Sequence, residues 1–248
     1  MNQSLNDSFL PLGDSSVLIR KGTTIDKGTH RWIMSVMQLL EAQRFDGMIE
    51  CVPAFASIAV HYDPLVVWRS RSLQEKGHAS VYETVCKRLE QCLSLLSEKE
   101  DNRLPERVVT IPVCYGGDYG PDLQEVAEHC GLSAEEVVSL HTSGSYSVYM
   151  IGFAPGFPYL GGMPPSIAAP RHKTPRIVIP AGSVGIAGAQ TGVYPLATPG
   201  GWQLIGRTPL PLFRPDQQIP SLLEAGDHVR FEAISEQQYK EWEGAEQL

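Results

Sequence analysis

Two hydrophobic periods alternate along the first hundred residues. Phe9 to Leu12 and Val17 to Arg20 are short apolar runs on either side of a Gly13-Asp14 pair, which predicts a hairpin. From Thr29 to Arg44 the period changes: Trp32, Ile33, Val36, Met37, Leu39 and Leu40 recur at spacings of three and four, predicting a helix with Gly47 just beyond its end. Met48 to Val52 and Phe55 to Tyr62 return to β-rich runs, broken at Pro53-Ala54 and stopped by Asp63-Pro64. A second helix is predicted over Ala79 to Ser97, where Val81, Val85, Leu89, Cys92, Leu93 and Leu96 share one face and Lys87, Arg88 and Glu90 point away. Hairpin, helix, hairpin, helix predicts a two-layer α+β domain over residues 1–104. The charged, nearly apolar-free run Glu98 to Arg107 reads as a linker.

The remainder, residues 105–248, reads as mainly β. Val108 to Val113 begins it as a strand; Asp122 to Cys130 predicts a helix closing at Gly131, and Ser133 with Glu136 forms a capping box ahead of Val137, Val138 and Leu140. Tyr146 to Phe153, Arg176 to Pro180, Ser183 to Ala187, Trp202 to Arg207 and His228 to Ala233 are short β-rich runs separated by Gly/Pro turns, the pattern of a closed or nearly closed β-barrel. After Ser235 the tail is polar, with Trp242 expected to anchor a last helical turn.

Composition excludes several classes. With 248 residues, 42% apolar and 19% charged, the chain is long enough to bury a core without staples. The N-terminal stretch has neither the basic start nor the apolar run of a signal peptide, and no apolar run is long enough to span a bilayer, so a cytoplasmic protein is expected. Cys51, Cys86, Cys92, Cys114 and Cys130 form no CxxC or paired His spacing and read as buried thiols, neither a disulfide framework nor a zinc site. The pI near 5.4 and the lack of a basic, aromatic-laced patch argue against nucleic acid. P-loop, dinucleotide-binding, zinc-protease and G-x-S-x-G signatures are absent.

Charge is segregated. No Asp or Glu occurs from Val137 to Pro215, yet that window holds Arg171, Lys173, Arg176, Arg207 and Arg214, leaving −13 on the rest of a chain of net charge −8. Such segregation suggests an anionic ligand or an acidic partner surface. Within the window, Tyr149 to Pro209 holds eleven of the twenty-three glycines and ten of the nineteen prolines, so this β region is heavily punctuated. Gly182, Gly185 and Gly188 recur at every third position, which would let backbone N–H groups approach an anion or, equally, allow barrel bends. Pro170 to Arg176 concentrates Arg171, His172, Lys173 and Arg176, a group that would grip a carboxylate or phosphate, or else form a solvated basic loop; the lack of nearby acids favours the anion. Arg207, after an apolar strand, is expected at a barrel mouth, or paired with a distant carboxylate. His141, at a helix end, suits either a general base or a partner of the helix dipole. Gln190, Thr191 and Tyr194 offer neutral groups suited to an amide or lactam, while Phe153, Phe157, Tyr159 and Trp202 read as core or rim before ligand platform. This donor-rich region lacks a carboxylate, and therefore an obvious metal ligand or acid catalyst; another domain or protein chain would have to complete a catalytic site.

IGFAPGFPYLGG, PR-x-x-TPR, PAGSVGIAGAQTGVYP and TPGGWQLIGRTP, together with PLGDSSVLI, VPAFASIAVHYDP and HTSGSYSVYMIGF upstream, resemble the KipI family, whose members are also called 5-oxoprolinase B subunits or allophanate hydrolase subunit 1. The resemblance covers nearly the whole chain. It implies a small N-terminal α+β domain and a C-terminal cyclophilin-like β-barrel, without prolyl isomerase activity, since no matching isomerase motif is present. It further implies a homologous partner, the C subunit or KipA, whose barrel faces this one across a shared cleft. A third component, the A subunit, joins them in the ATP-dependent opening of 5-oxo-L-proline to L-glutamate. ATP would be the cosubstrate, its Mg2+ held by the nucleotide or the partner. No metal site and no biotin are expected on this chain, which has no biotin-carboxylase, biotin-carrier or amidase segment. By matching motif the resemblance points to Arg171, Arg176 and Arg207 on anionic groups, Gln190 and Tyr194 on the lactam, and His141 in proton transfer or orientation. Thr191, Gly182, Gly185, Gly188, Gly200, Gly201 and Trp202 would line the same site. The family also implies an alternative of another class, inhibition of a sporulation histidine kinase with a KipA-type antagonist.

Overall fold

A computed structural model describes residues 9–23, 26–96 and 107–245. The chain divides into two compact units, Met1–Leu104 and Pro105–Leu248. Apart from Arg107, the predicted linker lies outside the described residues.

The first unit is a four-stranded sheet with helices on one face. Strands β1 (Phe9–Pro11), β2 (Ser16–Arg20), β3 (Met48–Pro53) and β4 (Ser57–Tyr62) lie in the order β1-β2-β4-β3, every pairing antiparallel. Alternate residues Val17, Ile19, Ile58, Val60 and Tyr62 are buried, as a sheet covered on one side requires. Helix α1 (Lys27–Ala42) starts where the Asp26 carboxylate accepts the Thr29 N–H and contributes Ile33, Val36 and Leu40 to the core. Asp63-Pro64, read as a strand stop, also starts a short helix, α2 (Pro64–Arg69): the Asp63 carboxylate accepts the N–H groups of Leu65 and Val66, and proline takes the first turn, where its missing N–H costs nothing. Helix α3 (Val81–Leu93) is capped by Ser80 and buries Val85, Cys86, Leu89 and Leu93. Arg88 on this helix does not face solvent as the pattern suggested. Its side chain, 13% exposed, donates to Glu75 at 2.7 Å and to the Ser70 and Asp46 carbonyls, and the hydrogen bond holds the Glu75 pKa down to about 2.

The second unit is a closed seven-stranded barrel. Its strands are β5 (Val108–Tyr115), β6 (Tyr146–Ile151), β7 (Pro158–Gly161), β9 (Ser183–Ala187), β10 (Gln190–Val193), β12 (Gln203–Arg207) and β13 (His228–Ala233), and they close in the order β10-β7-β6-β13-β5-β12-β9. The β5–β13 pair is parallel and carries six register pairs; the others are antiparallel. Helices α4 (Leu123–Cys130) and α5 (Ala134–Ser143) add Leu123, Val126, Ala127 and Val137 to the barrel core. Gly131 ends α4 in the left-handed conformation, and Ser133 and Glu136 form the expected capping box.

Three differences from the sequence pattern matter. The predicted strand Arg176 to Pro180 is no barrel stave: β8 (Arg176–Ile179) and β11 (Thr198–Gly200) form a separate ribbon. Strands β7 and β10 were not foreseen, because the glycines that read as turn punctuation lie inside them. A Cβ on Gly192 would sit 3.1 Å from the Trp202 ring and 3.2 Å from that of Phe157, so glycine there makes room for aromatics. The tail forms a full helix, α6 (Glu236–Ala245), anchored by buried Tyr239 against Tyr119, whereas Trp242 is 44% exposed.

Candidate functional site

Outside the barrel, Phe157, Ile179, Ala187, Tyr194, Trp202 and Leu204 form a separate apolar cluster. Its rings meet edge to face: Phe157 lies 5.6 Å from Trp202, 5.4 Å from Tyr194 and 5.2 Å from Tyr159. Phe153 continues this wall outward, its ring 5.4 Å from Phe157, in a left-handed backbone conformation at φ 69° and 67% exposed. The Arg171 guanidinium lies over Trp202 at 5.9 Å.

The segment Pro170 to Arg176 is laid along the turn into β12 and tied at four points. Gln203 Nε2 donates to the Pro170 carbonyl at 3.1 Å, and the His172 N–H to the Gly201 carbonyl at 2.8 Å. The other two ties converge on Asp122, 6% exposed on its side chain: Arg176 Nη2 lies 2.6 Å from Oδ1 and His172 Nε2 lies 3.2 Å from Oδ2. Asp122 is itself fixed to β12, its N–H donating to the Leu204 carbonyl and Oδ2 accepting the Leu204 N–H. Burial opposes the charge of this carboxylate, but the hydrogen bonds from Arg176, Leu204 and His172 outweigh it and hold Asp122 below the ordinary carboxylate range.

This corrects the premise that no acid was within reach of the basic segment. Asp122 lies outside the acid-free window in sequence and reaches into it in space. Arg176 is therefore committed: one terminal nitrogen is on Asp122, and Nη1 is buried without a hydrogen-bond partner. Arg171 and Lys173 are exposed and have no carboxylate partner among the described residues.

His141 is not placed as a general base. It is completely buried, and burial pushes its pKa down to about 3. Thr191 Oγ1 donates to the Gly185 carbonyl at 3.0 Å, so it accepts from His141 Nε2–H at 2.9 Å, leaving Nδ1 to accept the Tyr115 hydroxyl at 2.8 Å. A neutral imidazole is fully satisfied in this chain and has no route to a soluble substrate.

The glycine run serves bends and ladders rather than an anion. The Gly182 N–H donates to Tyr194 O and that of Gly188 to Ala169 O, both at 2.7 Å, and Gly185 lies between Gly192 and Leu204 in the sheet. Tyr194 is 2% exposed, its phenol pushed up to about 12 by burial, and cannot bind a lactam from solvent. Gly200 makes space for it, since a Cβ there would lie 2.5 Å from Tyr194 Oη, whereas a Cβ at Gly201 would meet the His172 carbonyl oxygen at an ordinary 3.5 Å.

Comparison with known proteins identifies the lineage. Residues 8–223 match the family described as "Carboxyltransferase domain, subdomain C and D". The chain is 53% identical over 228 residues to the 5-oxoprolinase B subunit of Bacillus subtilis, covering 92% of this chain and 93% of that one. The chain belongs to the family of 5-oxoprolinase B subunits. Another B subunit, from Escherichia coli O157:H7, is 59% identical over 54% of this chain and 62% of its own. Among solved structures, TTHA0988 superposes with TM-score 0.73 at 35% identity over 89% of this chain, which spans only 40% of TTHA0988. PH0987 from Pyrococcus horikoshii, 40% identical, gives TM-score 0.54 over 93% of this chain and 99% of its own. The Kluyveromyces lactis urea amidolyase shares the fold at TM-score 0.72 and 18% identity.

Within this family member the predicted site separates into two groups. Arg171, Arg176, Tyr194, Gly200, Gly201 and Trp202 come together with Lys173, His172 and Asp122; Gln190 begins β10, half-buried. Arg207 stands apart at the far end of β12 from Trp202, about 17 Å along an extended strand, with its guanidinium 5.8 Å over Tyr119 and Nε buried without a partner. Sequence reading missed Asp122, which it took only as the start of a helix; its one signal was the turn-rich run Gly116 to Asp122 ahead of that helix.

Asp122, Glu125 and His172 also bring one possible metal-ligand atom each within 4.8 Å of one another. A divalent ion does not fit there: both Asp122 oxygens already accept hydrogen bonds, and the Arg176 guanidinium on Oδ1 repels a cation. No helix among the described residues is long and apolar enough to cross a membrane.

Proposed function

We propose that the chain is the B-type component of an ATP-dependent 5-oxoprolinase and supplies an anion-binding half-site for the opening of 5-oxo-L-proline to L-glutamate. The observation that carries this reading is the pair Arg171 and Lys173, cations without carboxylate partners among the described residues, held on a tied loop against an aromatic wall. Family membership supplies the reaction. A lactam carboxylate or the phosphates of ATP match these cations, and charge on a phosphorylated lactam oxygen would be offset by the same groups. Half-buried Gln190 remains the neutral group suited to the lactam amide. The acids and Mg2+ ligands that this face lacks fall to the homologous C subunit, to the A subunit or to the nucleotide, so the isolated chain is inactive.

Kinase inhibition is the weaker reading, since the curated relatives from three bacteria carry the metabolic name. The test is Arg171→Gln in the assembled complex. A rise of about tenfold in KM for 5-oxoproline or ATP, with the complex still assembled, supports the half-site; unchanged kinetics removes Arg171 from it.

A further inference from the structure

We propose that Asp122 is a positioning residue: through Arg176 and His172 it sets the pose of the loop that presents Arg171 and Lys173 to the anionic ligand. This rests on the half-site reading above and adds to it a residue that does not touch the ligand.

Arg176 and His172 come from opposite sides of Lys173, and both end on the same carboxylate. Asp122 is anchored to Leu204, in the strand that Trp202 leads into, by its own N–H donating to the Leu204 carbonyl and its Oδ2 accepting the Leu204 N–H. Asp122 thus links three things: the loop carrying the free cations, the ribbon strand β8 that begins at Arg176, and the barrel strand beside the aromatic wall. The buried Arg176 Nη1 fits this assignment, because an arginine meant to clamp a ligand with both terminal nitrogens would leave them accessible. Neutralising Arg176 internally also prevents it from competing with Arg171 and Lys173 for the ligand.

The test uses the complex assembled with the A and C subunits. Asp122→Asn keeps an acceptor for the Leu204 N–H and removes the charge. KM for the anionic substrate should rise about tenfold while kcat stays within about threefold. Arg176→Gln should give a similar shift, and the double variant should be no worse than about either single one, because both act through one contact. A lowered thermal midpoint with unchanged KM, or effects that multiply, would overturn the assignment.

A second arm does not need turnover. In the full chain alone, Asp122→Asn should accelerate tryptic cleavage after Lys173 by about tenfold, by freeing the loop; an unchanged cleavage rate would overturn the brace. If the wild-type complex fails to turn over 5-oxoproline, the functional reading falls and this arm still decides the role of Asp122.

Discussion

His141 Nε2 and Thr191 Oγ1 lie 2.9 Å apart and both side chains are wholly shielded from solvent, tying α5 to strand β10 through a neutral imidazole. The Tyr115 hydroxyl on the other ring nitrogen ties in β5 as well. An expected proton-transfer residue is thus a fastening within the fold.

This fastening predicts acid sensitivity with a defined sign. In the folded chain burial holds the His141 pKa near 3, against 6.5 for the ordinary imidazole. Between those values the unfolded state binds the extra proton, so stability from this group is fully present above pH 6.5 and is lost as pH falls toward 3. The slope is about 1.4 kcal/mol per pH unit within that window. Urea unfolding from about pH 7 to about pH 4 should show this loss in the wild type and a flatter profile in His141→Gln; equal slopes would place a charged or solvated imidazole there.

The two ends of the glycine run should respond differently. Gly182 has φ 79°, and a Cβ there would overlap the Thr208 carbonyl oxygen, so Gly182→Ala should cost more than about 2 kcal/mol. Gly188, at φ 58° with open space around it, should lose only about 1 kcal/mol on substitution by alanine and leave turnover unchanged. Chemical denaturation of both variants checks the contrast. Equal losses would mean that local space does not decide the cost.

Phe153 and Phe157 make a similar pair. Phe157→Ala removes a ring that is 2% exposed and touches four other aromatics, and should cost about 3 kcal/mol or more. Phe153→Gly loses one edge contact and relieves a left-handed backbone, so the two effects, each about 1 kcal/mol, should nearly cancel. A large drop in thermal midpoint for Phe153→Gly would show that its exposed ring carries more of the fold than its contacts indicate.

These contrasts also show what the sequence could express. Period-3.6 patterns revealed α1 and α3, because each buries one face, and β-rich runs between Gly/Pro turns revealed most barrel strands, including β9 and β12, which are buried on both faces and show no alternation. Strand β10 was hidden: its Gly192 is chosen for the bulk of Trp202 and Phe157, neighbours distant in sequence. The Asp63-Pro64 helix was hidden for a local reason, since the same pair can stop a strand and cap a helix. In the candidate site the basic segment was visible as composition, but its organising acid was not. Asp122 lies 50 residues from His172 and 54 from Arg176, and only the closed barrel brings β12 beside all three. Spacing arguments work within one element, and the brace joins three.

The decisive measurement is ATP-dependent release of glutamate from 5-oxoproline by the complex of this chain with the A and C subunits, with each component omitted in turn. A half-site role predicts turnover only when all three are present, and none from the isolated chain. Undiminished turnover in the absence of this chain, or a folded and assembled complex that releases no glutamate, would contradict it.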